Sequence, residues 1–275
     1  MAYDGYETLR VAVADGVARV TIDHPPINLF DLALMLDLLR FGEEVAADDA
    51  VRVVVADSAN ADFFIAHADV SLILGLPREE RGANPELGFF HAMVDRFRTM
   101  PKATIAIVEG RVRGGGSEFV SSFDMRFASR SRAVFGQPEV ALGIIPGGSG
   151  TQRLPLLVGR ARALEIILGG ADVDGALAEQ WGWVNRALPD VELRPFVDAL
   201  AARIASFPTN AIAAAKESVN NSLVDPVPGL CEEELLFSRC LLDPEAIRRM
   251  EKFMEVGGQT REVELDLADI YSKLS

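Results

Sequence analysis

Short apolar runs bounded by turn residues fill the first half of the chain, and helical spacing dominates the second. Val11–Ala14 and Val17–Ile22 flank Asp15-Gly16, a pairing that predicts a β-hairpin. Phe30 to Ala46 carries apolar residues at three- and four-residue intervals and reads as a helix, and Val51 to Ala56 as a buried strand. Residues 76–88 (LPREERGANPELG) are polar, with two prolines and two glycines, and predict a mobile loop. A helix is expected over Phe89 to Arg98, ending before Pro101. A strand follows over Thr104 to Val108, then a helix-like run from Phe119 to Met125. Arg126 to Ser129 and Val134-Phe135 read as short strands.

From Val158 onward the spacing is helical. Ala161 to Leu168 is one predicted helix. Asp174 caps another that stops at Gly182. Leu193 to Ser206, Asn210 to Asn221, Cys231 to Leu241 and Pro244 to Glu255 are further ones. Strands first and helices later indicate an α/β core with a helical C-terminal part. Periodicity alone points to a doubly wound sheet.

The bulk numbers narrow the class. At 275 residues and 29.8 kDa the chain can bury a substantial core. No window approaches the ~18 uninterrupted apolar residues of a membrane span. The N-terminus (MAYDGYETLR) lacks a basic-then-apolar leader, so a cytoplasmic location is expected. A net charge of −14 argues against nucleic acid, whose phosphates are met by Lys and Arg. Cys231 and Cys240 have no neighbouring His pattern and read as structural or incidental. His24, His67 and His91 are too scattered to argue for a metal.

The chemistry concentrates at Gly110 to Val120, GRVRGGGSEFV. Three glycines between a strand and a helix let backbone N–H groups approach a bound oxygen without Cβ interference. The first N–H groups of a helix have no internal partner, and Glu118 lies beside them. An anion-binding turn next to a carboxylate suits acid/base chemistry on a carbonyl compound. Downstream come Phe135-Gly-Gln-Pro-Glu139 and the run LGIIPGGSGTQRL from Leu142 to Leu154; upstream comes Phe64-Ile-Ala-His-Ala-Asp69. Gly147 to Gly150 is not a nucleophile elbow, because G-x-S-x-G would need glycine where Thr151 stands. Ser149 belongs instead to a tight loop beside a ligand. Trp181 and Trp183 read as core or interface aromatics.

Taken together, FIAHAD, PKATIAIVEG, GGGSE and FGQPEVALGIIPGGSGTQRL resemble the enoyl-CoA hydratase/isomerase (crotonase) superfamily, over about Tyr6 to Glu255. The resemblance implies a crotonase-type spiral of ββα units over residues 1–190, holding the active site. It also implies a helical trimerisation region and tail over 191–275, giving a homotrimer or homohexamer. In this family two backbone N–H groups hold the thioester carbonyl oxygen, and they map onto Ala68 and Gly115. The hydratases' two glutamates map onto Glu118 and Glu139, one serving as base for water and one as acid for the α-carbon. Substrate contacts are expected from Ala66, His67, Asp69, Gly114 and Gly147. The implied reaction is reversible hydration of a trans-2-enoyl-CoA. Coenzyme A arrives as part of the substrate, with no metal, redox cofactor, nucleic acid or membrane partner.

Three positions depart from the family pattern. His67 stands where glycine is common, immediately before Ala68; it either narrows the pocket or points away and packs. Ser71 replaces a lysine found near the nucleotide in many hydratases. Arg113 precedes the glycines where small apolar residues are usual, and is expected to pair with an acidic acyl tail or with Glu109. The tail from Gly257 to Ser275 is expected to cross a neighbouring subunit or be disordered. Double-bond isomerisation is the alternative activity. A catalytically weak acyl-CoA-binding oligomer, its oxyanion turn spoiled by His67, is the alternative outside catalysis.

Overall fold

The computed structural model describes residues 3–78, 86–271 and 273–274. Of the loop expected over 76–88, residues 79–85 lie outside the described residues.

Among the described residues, ten strands form two sheets. The six-stranded sheet contains β1 (Leu9–Ala14), β2 (Val17–Ile22), β3 (Val53–Ser58), β5 (Ala103–Val108), β7 (Met125–Ser129) and β10 (Arg186–Leu188), adjacent in that order. The four-stranded sheet contains β4 (Phe63–Ile65), β6 (Arg111–Arg113), β8 (Val134–Gly136) and β9 (Val173–Asp174). The hairpin β1–β2 and the pair β8–β9 are antiparallel, and the other pairs are parallel. The chain therefore visits the large sheet, then the small one, in three successive units: β3–β4, β5–β6 and β7–β8. Helices follow each unit, which gives the spiral of ββα units and not a doubly wound sheet. Periodicity misses this because β4, β6 and β8 are three residues each, too short to show a period of two.

The central strands are buried on both faces, as the near-continuous apolar runs VVVA and ATIAIV require. One face packs under α1 (Leu32–Ala47), which starts where the Asp31 carboxylate accepts from Leu34 N. Val53, Val55, Ile105, Ile107 and Phe127 on the other face meet Leu193, Val197 and Ala201 of α8 (Asp190–Ala205).

The remaining helices are α2 (Val70–Leu74), α3 (Phe89–Thr99), α4 (Gly114–Ser121), α5 (Gly150–Val158), α6 (Arg160–Gly169), α7 (Gly175–Trp181), α9 (Thr209–Asn220), α10 (Val227–Cys240), α11 (Pro244–Glu255), α12 (Arg261–Glu264) and α13 (Leu267–Tyr271). The helix expected over Phe119 to Met125 is displaced. It starts at the glycines and ends at Ser121, because Asp124 and Thr104 exchange hydrogen bonds of 2.8 and 2.9 Å that turn the chain into β7. The tail is also corrected: Leu267, Ile270 and Leu274 are buried against Leu142, Met250 and Phe253 of the same chain. Among the described residues no helix is long and apolar enough to cross a membrane.

Candidate active site

The unit β5–β6–α4 delivers the glycine triplet to the end of the small sheet. Gly115 carries the second N–H of α4, in the first turn, whose amides have no carbonyl partner inside the helix. A Cβ at Gly115 would stand 3.2 Å from Ala68 Cβ and 3.6 Å from Ala68 N, so glycine keeps the gap between the two amides open. Ala68 is oriented by a parallel bridge to Phe30: Phe30 N donates to His67 O at 2.9 Å, and Asp69 N to Phe30 O at 3.1 Å. Strand alternation turns the Ala68 N–H to the opposite side, toward Gly115. The peptide that carries this N–H is pinned through its own carbonyl, His67 O.

Both carboxylates border the same space. A pocket of about 340 Å³ is lined by Ala68, Gly115, Glu118, Glu139 and Gly147, with Met35, Leu72, Phe90 and Leu241 among its apolar walls. Oε1 of Glu118 accepts from Gly148 N at 2.8 Å and from Gly150 N at 2.7 Å. Oε2 is left for a reacting group. Burial, joined by the negative charge of Glu233, pushes Glu118 up to about 7 against the pull of those two N–H groups. Glu139 opens a single helical turn after Pro138 and is driven well above the ordinary carboxylate range, first by burial and then by Glu118. Gln137 lies against it. With its amide nitrogen turned inward, Gln137 donates to both Glu139 oxygens at 3.2 and 3.1 Å. With the oxygen inward it would accept from the protonated acid. Gly114 lies on the same side: a Cβ there would stand 2.6 Å from Glu139 Oε1.

Two of the other expected contacts, Ala66 and His67, fall elsewhere. Ala66 does not reach the pocket; it packs with Ile27 and Phe63. His67 is buried and turned toward the tail, with Nε2 2.9 Å from Glu264 Oε1, Nδ1 2.8 Å from Ala68 O, and its ring edge-on to Phe253. Two acceptors on two ring nitrogens suit a doubly protonated imidazole. Burial alone would lower His67, but the Glu264 carboxylate outweighs it and raises the pKa. Asp69 lines the pocket as the cap of α2, accepting from Ser71 N at 2.8 Å and from Gln259 Nε2 at 2.8 Å. Arg113 meets neither an acyl tail nor Glu109. It forms a two-point pair with Asp172 at 2.7 Å and donates to Glu264 O at 3.0 Å, while Glu109 is taken by Arg132 and Arg194.

Sequence reasoning missed the groups behind the site. Glu233, on α10, approaches the Gly147–Thr151 turn from beneath with His91 against it, and Gln137 lies against Glu139. The only local signal was a glycine-rich turn whose successive N–H groups need acceptors. A larger cavity of about 690 Å³, between α9 and the start of β7, is lined mainly by Phe123, Leu156, Phe207, Ile212, Val219 and Leu223. It brings no paired carboxylates to a backbone anion hole, so the chemistry is placed in the smaller pocket. Among the described residues no group of His, Cys, Asp and Glu is arranged to hold a metal.

A two-sheet ββα spiral with two backbone amides and two buried carboxylates around one pocket is an arrangement suited to proton transfer on a carbonyl compound. The sequence matches the enoyl-CoA hydratase/isomerase family over residues 12–255, and the chain belongs to that family. It is 39% identical over 236 residues to a Rhizobium meliloti (strain 1021) protein named as a probable enoyl-CoA hydratase, covering 84% of this chain and 89% of that one. It is 31% identical over 253 residues to the crotonyl-CoA hydratase of Syntrophomonas wolfei, covering 91% and 96%. A crystallised Streptomyces avermitilis protein assigned to the enoyl-CoA hydratases superposes with a TM-score of 0.91 at 38% identity, covering 98% of this chain and 99% of that one.

Proposed function

We propose that the protein hydrates trans-2-enoyl-CoA thioesters reversibly to 3-hydroxyacyl-CoA. The observation that carries this reading is the meeting of Ala68 N and Gly115 N with two buried carboxylates of unequal environment in one pocket. The thioester oxygen accepts from the two N–H groups, which hold the enolate charge that develops as water adds to the β-carbon. Glu118, whose ionised form is favoured by two backbone donors, takes the proton of the attacking water on Oε2. Glu139, whose neighbour Gln137 serves either protonation state, gives its proton to the α-carbon. Two carboxylates favour hydration over isomerisation, which needs one proton shuttle. The idea of a weak binder rested on His67 spoiling the oxyanion turn, and His67 points to Glu264 instead.

The reading needs no metal or redox group, and coenzyme A enters on the substrate. Arg78 and Arg248 line a shallow cavity of about 290 Å³ that shares Leu241 with the pocket, which supplies positive charge for nucleotide phosphates on an acidic protein. Leu156, Val219, Leu223 and Val224 are more than half exposed, a surface suited to association of copies into a trimer.

Loss of the conjugated thioester absorbance with crotonyl-CoA and longer 2-enoyl-CoAs tests the reaction. Glu118→Gln and Glu139→Gln are each expected to lower kcat by about 10²–10⁴. No turnover of any straight-chain enoyl-CoA by the folded protein overturns it.

A further inference from the structure

The turn from Gly147 to Thr151 presents four consecutive N–H groups, and they are divided alternately between two carboxylates. Gly148 N and Gly150 N donate to Glu118 Oε1 at 2.8 and 2.7 Å. Ser149 N donates to Glu233 Oε1 at 2.5 Å, and Thr151 N to Glu233 Oε2 at 2.8 Å, with the Thr151 hydroxyl on the same oxygen. Alternation along an extended-to-helical turn sends successive N–H groups to opposite sides, so neither carboxylate can be satisfied without fixing the other. The central residue confirms the constraint: Ser149 holds φ at +104°, a region that a side-chain-bearing residue enters only when its surroundings over-determine it.

Glu233 is fully buried on α10, and His91 Nε2 of α3 lies 3.1 Å from its Oε1. Its two oxygens thus receive contacts from Ser149, His91 and both groups of Thr151. Other charged groups facing this cluster are Glu139 from the turn after Pro138, Arg153 from α5, and Glu234, 3.9 Å from His91 Nδ1.

We infer that Glu233 is the positioning residue of this site: it locks the Gly147–Thr151 turn so that Oε1 of Glu118 is held by two N–H groups and Oε2 alone exchanges protons with the substrate water. The inference rests on the hydratase reading for its consequence, not for its geometry. Glu233 touches neither the pocket nor the reacting atoms among the contacts described. Its negative charge, buried beside Glu118, also strengthens Glu118 as a base. Helix α10 therefore reaches back to set the geometry and proton affinity of the catalytic carboxylate.

The test follows the protonated carboxyl stretch of Glu118 by infrared titration, assigned by its loss in Glu118→Gln, alongside turnover of crotonyl-CoA. In the intact protein the midpoint is expected at about 7. In Glu233→Gln it moves down by about one pH unit, a ~10-fold loss of proton affinity, with the acidic limb of kcat/KM moving equally. Glu233→Asp keeps the charge but shortens the reach to the turn. Its midpoint stays raised while kcat falls ~10-fold or more and KM stays within about twofold. A folded Glu233→Gln with the intact protein's midpoint overturns the inference, as does a Glu233→Asp protein of unchanged kcat. A midpoint that moves in a protein with no hydratase turnover supports the role of Glu233 and defeats the hydratase reading instead.

Discussion

His67 and Glu264 lie 197 positions apart in sequence and meet at 2.9 Å directly behind the backbone of Ala68. The contact ties the C-terminal tail to the segment after β4 whose Ala68 N–H is proposed to hold the thioester oxygen. Glu264 also accepts from Gln259 N within the tail at 2.9 Å, and its carbonyl receives Arg113, so His67 and Arg113 fasten the tail at two points around one residue.

The pair predicts a pH-dependent contribution to stability. His67 is raised above its ordinary 6.5, so its share is fully present below that value and fades as pH climbs through the higher folded pKa. Glu264 is lowered below its ordinary 4.5, so its share is present above that value and fades as pH falls through the lower folded pKa. The gap in Tm between the intact protein and Glu264→Gln is therefore expected to be widest between pH 4.5 and 6.5 and to narrow on either side. Because His67 can shed its proton when its partner is removed, the loss within that window is about 1–3 kcal/mol. A gap that does not vary with pH would mean the two groups are paired only as neutral hydrogen-bonding partners.

Removing the space between the two amides is expected to impair chemistry more than folding. Gly115→Ala places a methyl 3.2 Å from Ala68 Cβ and 3.5 Å from the Phe90 ring, tight but relievable by small shifts. It also intrudes where the thioester oxygen must sit. Turnover of crotonyl-CoA should drop by about 10²–10³, the usual worth of one oxyanion donor. Circular dichroism and Tm should stay close to those of the intact protein. Full activity in this variant would place the carbonyl somewhere other than between Ala68 and Gly115.

How far these features could be read from the sequence depended on their range. The β1–β2 hairpin, the Asp174 cap and the Pro244–Glu255 helix each rest on local chemistry, and the structure has them within a residue or two. The helix at the triplet starts earlier than the spacing predicts because glycine's low helix propensity hides Gly115 and Gly116, which pack against Ala68 and Ile65. Arg113 has Glu109 as a near acidic neighbour in sequence, whereas the parallel pairing of β6 with β8 and the antiparallel pairing of β8 with β9 bring Asp172 to it. The roles of Glu233 and Glu264 were not legible at all. A glutamate on an amphipathic helix carries no mark of which buried amide or imidazole it will meet across more than eighty residues.

The apolar face on α5, α9 and the turn after it should carry assembly. Leu156 is 59% exposed and Val219 65% exposed, and both line the large cavity beside the sheet. Equilibrium sedimentation is expected to show a trimer or hexamer that Leu156→Lys with Val219→Lys dissociates, since desolvating two lysines opposes closure. A monomer in the unsubstituted protein at micromolar concentration would remove this face from consideration.

The acid–base pair predicts a bell-shaped dependence of kcat/KM on pH. In the hydration direction Glu118 must be ionised to take a proton from water, and its pKa stands at about 7, so the rate should fall as pH drops below that value. Glu139 must be protonated to supply the α-carbon, and burial together with Glu118 holds it well above the ordinary range, so a second fall is expected on the alkaline side. The two groups sense one another through the charge of Glu118, so the limbs report the pair as a unit. Glu118→Gln removes the carboxylate that raises Glu139, so the alkaline limb of its residual activity should shift to lower pH. An alkaline limb that stays fixed in Glu118→Gln would mean the carboxylates titrate independently and the shared-pocket account of the Glu139 shift is wrong.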